Sequence, residues 1–176
     1  MNVKRFQTFS RFIAIVLLFS IIMQFIVLLF LVTTHGWSLD TESTSLKADG
    51  FYFSVHNLII SDFYKELAAK IALITASLGV IIALWQGRAI FLALTKGTTP
   101  FQPFFVKKLK VISKLIVAVD ILPFVVYSVG LTLLARSGYH FQIQVGYWTI
   151  IGLIVYCAAE ILNYGISLQE LSDDTI

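Results

Sequence analysis

Charge is what this chain has least of. Only 13% of its 176 residues are Asp, Glu, Lys or Arg, against 58% hydrophobic; an average soluble domain is about 25% charged and roughly 45–50% apolar. That scarcity excludes a disordered or collagen-like chain and argues against a water-soluble enzyme domain, because one domain of this length has no means of hiding so much apolar surface from water. The mean hydropathy of +0.87 agrees. Cysteine is nearly absent too. Cys157 is the single one, so it forms no intrachain disulfide and carries no information about redox compartment.

Catalytic and metal signatures are also missing. There is no P-loop, no G-x-S-x-G and no dinucleotide fingerprint. His35, His56 and His140 form no H-x-x-x-H or H-E-x-x-H pattern and have no cysteine partner in spacing. The expectation is a non-enzymatic protein with no cofactor and no metal. No convincing repeat relates the two halves, so an inverted-repeat transporter is not suggested.

What is present is four long apolar runs, at 12–33, 69–94, 114–135 and 146–168. About 20 apolar residues are needed to cross a hydrocarbon core of roughly 30 Å, and such runs in lipid must be helical. The predicted fold class is therefore an all-α polytopic membrane protein, a four-transmembrane-helix bundle forming a single membrane domain. The first run follows Lys4, Arg5 and Arg11 as a signal peptide would. Its 22 residues exceed the roughly 7–15 of a cleavable apolar region, however, and no A-x-A-like site follows, so an uncleaved first helix is expected.

Lys and Arg near the helix ends set the direction. With the N-terminus inside, Lys4, Arg5, Arg11, Arg88, Lys96, Lys107, Lys108, Lys110 and Lys114 lie on the cytoplasmic side, and Lys47, Lys65, Lys70 and Arg136 lie outside. Both termini are predicted cytoplasmic. Trp37 and Tyr147–Trp148 then fall at the outer interface, as an aromatic belt. The cytoplasmic pieces are too short for a nucleic-acid-binding domain, so no direct contact with nucleic acid is expected.

The outer loop, 34–67, contains a β-branched and aromatic stretch from Phe51 to Ile60, read as a short strand or an interfacial segment. Ser61 or Asp62 is expected to cap the second helix. The basic inner loop, 95–113, starts with Gly97, which ends helix two, and Pro100, which stops it re-forming. Phe101 follows, then a basic amphipathic segment from Pro103 carrying Lys107, Lys108 and Lys110, expected to lie at the lipid headgroups. A positive-inside anchor and a docking site for an acidic partner are both open readings of it.

Asp120 and Glu160 lie inside spans three and four, where a carboxylate costs about 2.5–3.5 kcal/mol unless it faces a partner. Counting helical rise places Gln86, Arg88, Asp120 and Glu160 in one polar layer in the cytoplasmic half, with Arg88 the natural partner of either acid. Pro123 is expected to kink span three beside Asp120. The layer reads as a structural clamp, as an ion or proton route, or as the lining of a water-filled recess. Ala68, Ala72, Ala76, Gly79, Ala83 and Gly87 form a small-residue face on helix two, expected to be the tight seam of the bundle, with a homodimer face as the rival reading.

The C-terminal half resembles a known family. Gly97–Thr98–Thr99–Pro100–Phe101 before a basic segment is similar to the inner loop of the domain-of-unknown-function 2975 family. The chain end is similar to that family's terminal signature: Glu160, Gly165, Leu168–Gln169–Glu170, Asp173, Asp174 and a final Thr175–Ile176 in the acidic tail 169–176. Leu171–Ser172 stand where a second acid is expected. The resemblance implies a bacterial inner-membrane protein, multi-pass, whose family has no assigned biochemistry and is often encoded beside a small helix-turn-helix regulator. A regulatory or accessory role through partner binding at the cytoplasmic face is the leading expectation, with that regulator as the implied partner. The alternatives are a small transporter or ion-coupled carrier using the intramembrane carboxylates, and an immunity-type protective membrane protein.

Overall fold

Apolar runs of this length become helices because a backbone N–H or C=O in lipid has no water partner and must be satisfied within its own segment. The computed structural model describes residues 3–36, 50–58, 60–98, 102–135 and 138–173. Within them lie α1 (Val3–Thr33), α2 (Asp62–Thr95), α3 (Pro103–Leu134) and α4 (Tyr147–Asp173), with β1 (Gly50–Leu58) between α1 and α2 and β2 (Gly138–Gly146) between α3 and α4. All four helices are long and apolar enough to cross a membrane. The chain is a multi-pass, all-α four-helix bundle with one small sheet added.

The helices outrun the expected spans. α2 begins at Asp62 instead of 69, α3 at Pro103 instead of 114, and α4 continues to Asp173. At about 1.5 Å per residue, the 34 residues of α2 extend roughly 51 Å, well past a 30 Å core. The basic segment forms the first turns of α3, because nothing between Pro103 and Lys114 breaks a helix; hydropathy marks only the apolar part of a helix that runs from cap to cap. The inner connection shrinks accordingly to 96–102.

The local signals at these ends mostly act as expected. Gly97 takes a left-handed φ of 82° and donates its N–H to the Leu94 carbonyl at 3.1 Å, while Lys96 N–H reaches Ala93 O at 3.0 Å. The Thr98 hydroxyl closes the same turn on Ala93 O at 2.6 Å. Pro103 opens α3, where a missing N–H costs nothing. Ser61 occupies the N-cap of α2 but makes no side-chain cap bond; its backbone carbonyl accepts from Tyr64 N–H at 3.1 Å instead. Pro123 sits buried inside α3, which remains helical on both sides of it. Pro100 and Phe101 lie outside the described residues.

The helices pack in chain order, α1 on α2, α2 on α3 and α3 on α4, with β2 laid along α3. Each contact is antiparallel. His35 Nδ1 lies 3.2 Å from Glu66 Oε1 at one end of the α1–α2 face, and Leu17 sits opposite Gly87 lower down. Ala68 opposes Gly130 and Gly79 opposes Val119 across α2–α3. The residue numbers at these contacts bring the first turn of α1 and the last turns of α4 to the same end of the bundle, the terminal end.

The α2–α3 seam is the core. Ala68, Ala69 and Ala72 are buried against Tyr127 and Leu131, with Ile60 and Val126 alongside. A Cβ on Gly79 would come within 2.5 Å of Val119 Cγ2, so the glycine permits the close approach that substitutes for a hydrophobic drive in lipid. The small-residue face of helix two is therefore engaged inside the chain, by α3 at Ala68 and Gly79 and by α1 at Gly87, as the seam expected of it.

β1 and β2 pair antiparallel, Gly50 opposite Gly146 and Leu58 opposite Gly138. β1 fulfils the strand reading of Phe51–Ile60. β2 was not anticipated. Its alternation is inverted relative to a soluble sheet: His140, Gln142 and Gln144 are buried, while Phe141 is 48% exposed and Phe53, diagonal to it across the strands, 47%, the two rings edge to face at 6.4 Å. The polar side chains of β2 thus face α3 and its apolar ones face outward.

Candidate functional site

α4 starts directly where β2 ends, so its first N–H groups have no preceding loop to cap them, and its first turn carries no acid. Asp120 of α3 supplies the missing acceptor. Its Oδ2 accepts the Gly146 N–H at 2.8 Å, the Thr149 N–H at 3.1 Å and the Thr149 hydroxyl at 2.7 Å. A carboxylate at a helix N-terminus is also favoured by the helix dipole. Gly146 gives the carboxylate close access, since a Cβ would sit 3.0 Å from Asp120 Oδ1. One side chain thus joins α3, β2 and α4.

The same face of α3 satisfies the edge of β2. Ser128 Oγ accepts the Gln142 N–H at 2.8 Å and lies 3.0 Å from the Gln142 carbonyl. Thr132 Oγ1 accepts the His140 N–H at 3.2 Å and lies 3.0 Å from the His140 carbonyl. The match is geometric: four helix residues rise about 6 Å, and two strand residues advance roughly 6.6 Å. Helix positions 120, 128 and 132 therefore meet strand positions 146, 142 and 140 in step. A buried strand edge is costly when unpaired; here the hydroxyls of α3 pair it. Behind the ladder, His140 stacks edge to face on fully buried Tyr127 at 5.6 Å and lies 3.3 Å from Gln142 Oε1, while Gln142 Nε2 is buried without a partner.

The polar layer expected at one depth is divided between two levels. Glu160 pairs with Lys110 at 2.9 Å, and Gln86 accepts from Lys108. Asp120 lies ten residues further along α3, about 15 Å away by helical rise. The expectation went wrong because depth was counted from the ends of apolar runs, whereas α3 starts eleven residues earlier. Arg88 joins neither acid. Its guanidinium lies 5.8 Å from the Trp85 ring centre, and its Nε is buried with no hydrogen-bond partner. Lysines of α3, read from the sequence as an anchor or a docking site, take the place expected of Arg88.

At the terminal end Lys107 and Lys114 are exposed, as are Gly165, Leu168, Gln169 and Glu170 on the last turns of α4. A Cβ on Gly165 would meet nothing within 4 Å. Asp173 is the last residue of α4; Asp174, Thr175 and Ile176 lie outside the described residues. Among the described residues no three His, Cys, Asp or Glu side chains gather as metal ligands would. Gly146, Thr149, Ser128, Thr132 and Gln142 are the site residues that sequence reading missed. The signal was there, in acceptors at 120, 128 and 132 on one helix face and polar residues alternating at 140, 142 and 144.

Comparison with known proteins yields no match to a family, to a curated protein or to a solved structure.

Proposed function

We propose that this is a non-enzymatic membrane protein of regulatory or accessory type that acts by binding a partner at its terminal end, with that end cytoplasmic in a bacterial inner membrane. The carrying observation is the outward face of late α4. Ile161, Tyr164, Leu168 and Leu171 recur at intervals of three, four and three and are all exposed, from 47% to 72%, beside exposed Gln169 and Glu170. That interval is the spacing of a helix–helix seam. The bias of Lys and Arg toward this end supports the orientation, and the C-terminal resemblance supports a helical cytoplasmic regulator as the partner.

The carrier reading is weakened by Asp120 itself. A carrier acid must exchange its proton or ion, whereas Asp120 Oδ2 already accepts three hydrogen bonds that build the fold. Site-specific crosslinking from Tyr164 and Leu171 in native membranes tests the proposal. A cytoplasmic protein captured by the wild type and lost in a Leu168→Ser/Leu171→Ser variant is expected. Recovery of no cytoplasmic protein overturns partner binding, and activity on the outer side of a reporter fused after Ile176 overturns the orientation.

A further inference from the structure

A cleft of about 320 Å³ opens between α3 and α4, lined by Ser113, Lys114, Val117, Gly152, Leu153 and Tyr156, with nearly all of its lining apolar. The two helices touch at Gly152, where a Cβ would come within 2.6 Å of Val117 Cγ2 and 3.0 Å of Ser113 O, and the cleft opens beside that contact. Val117 and Leu153 form the walls in the part of the bundle that crosses lipid. At the mouth nearer the terminal end the chemistry changes abruptly. Lys110 is held by Glu160 at 2.9 Å and leans on the Tyr156 ring at 6.0 Å, so its charge is spent. Lys114, one turn further on, is exposed, and among the described residues no carboxylate lies within ion-pair distance of it. Lys107 stands two turns nearer the helix start on the same side, exposed as well.

We infer that this cleft is a binding site for one anionic phospholipid of the leaflet at the terminal end. An acyl chain fills the apolar part between Val117, Gly152 and Leu153, and the headgroup phosphate meets Lys114, with Lys107 in reach of the headgroup's further charge. The occupant is set by the combination of features. An apolar slot open to the bilayer takes a hydrocarbon chain, and an uncompensated ammonium at its mouth, on a side chain long enough to extend toward the interface, selects a negative headgroup over a zwitterionic one. The inference is independent of any protein partner and of which side of the membrane is cytoplasmic.

Native mass spectrometry of the full chain, released from vesicles holding equal amounts of phosphatidylglycerol and phosphatidylcholine, tests it. The wild type is expected to retain one phosphatidylglycerol in preference to phosphatidylcholine by about fivefold, the selectivity of one cation near an anionic headgroup. Lys114→Gln should bring the ratio close to one, and Leu153→Trp, which fills the slot from its exposed side, should reduce retention of both lipids. Lys65→Gln, at the opposite end of the bundle, should leave both unchanged. Equal retention of the two lipids by the wild type, or an unchanged preference in a Lys114→Gln protein that melts like the wild type, overturns the proposal.

Discussion

Asp120 Oδ2 accepts the Gly146 N–H at 2.8 Å, and that bond lies at the point where the chain changes from strand to helix. β2 packs along α3 beyond Asp120, at Ser128 and Thr132, and α4 packs along α3 before it, at Lys110 and Val117. A buried junction of this kind is stable only when its backbone groups are satisfied by protein. Replacing Asp120 with Ala should therefore destabilise the protein by about 3 kcal/mol, the scale of losing hydrogen bonds to a charged group and leaving buried donors unpaired. Asp120→Asn, which keeps one acceptor oxygen, should cost about half as much. Unfolding in mixed detergent, followed by circular dichroism, measures both.

The hydroxyl ladder makes a local claim that global stability alone would not expose. Ser128→Ala and Thr132→Val should each cost about 1 kcal/mol. The sharper readout is amide exchange. Protection should fall at Gln142 in the first variant and at His140 in the second, because those are the N–H groups each hydroxyl accepts, while amides in the α1–α2 face keep theirs.

Two glycines on α4 should behave oppositely. A methyl at Gly152 meets Val117 Cγ2, Ser113 O and Val117 N, two of them backbone atoms that cannot step aside; Gly152→Ala should destabilise by about 1–3 kcal/mol through overpacking. At Gly165 a methyl meets open space, so Gly165→Ala should be neutral or stabilise by up to about 1 kcal/mol from helix propensity. Thermal melting of the two variants side by side gives the comparison.

Arg88 gives a third contrast. As the partner of Asp120 or Glu160 it would be costly to remove. With Nε buried and unpartnered, it has only the flank of Trp85 to lose. Arg88→Leu should change stability by less than about 1 kcal/mol in either direction, since relief of desolvation offsets the lost contact. Glu160→Gln should also be mild, because its pair with Lys110 is partly exposed.

The four helices were legible in the sequence because an apolar run near 20 residues has one physical outcome in lipid. Gly97 was legible as a terminator because a left-handed turn excludes most side chains. What could not be read by the same means was everything set by register between segments. Lys110 and Glu160 are 50 positions apart in the chain, and only the true start of α3 brings them level. β2 was hidden by its inverted alternation: with Gln142 inward and Phe141 outward, it does not look like a strand built for water. Asp120 was recognised as an acid that needs a partner, but the partner turned out to be backbone and a threonine hydroxyl, which carry no charge to draw attention in a sequence.

A double-mutant cycle between Asp120→Ala and Thr149→Val tests most directly whether the intramembrane carboxylate is a structural cap. If Asp120 holds the start of α4, the two changes remove one shared contact, and their stability effects should fall short of additivity by about 1–2 kcal/mol. Additive effects, with a coupling below about 0.5 kcal/mol, would contradict the cap and reopen the carboxylate to a role in transport.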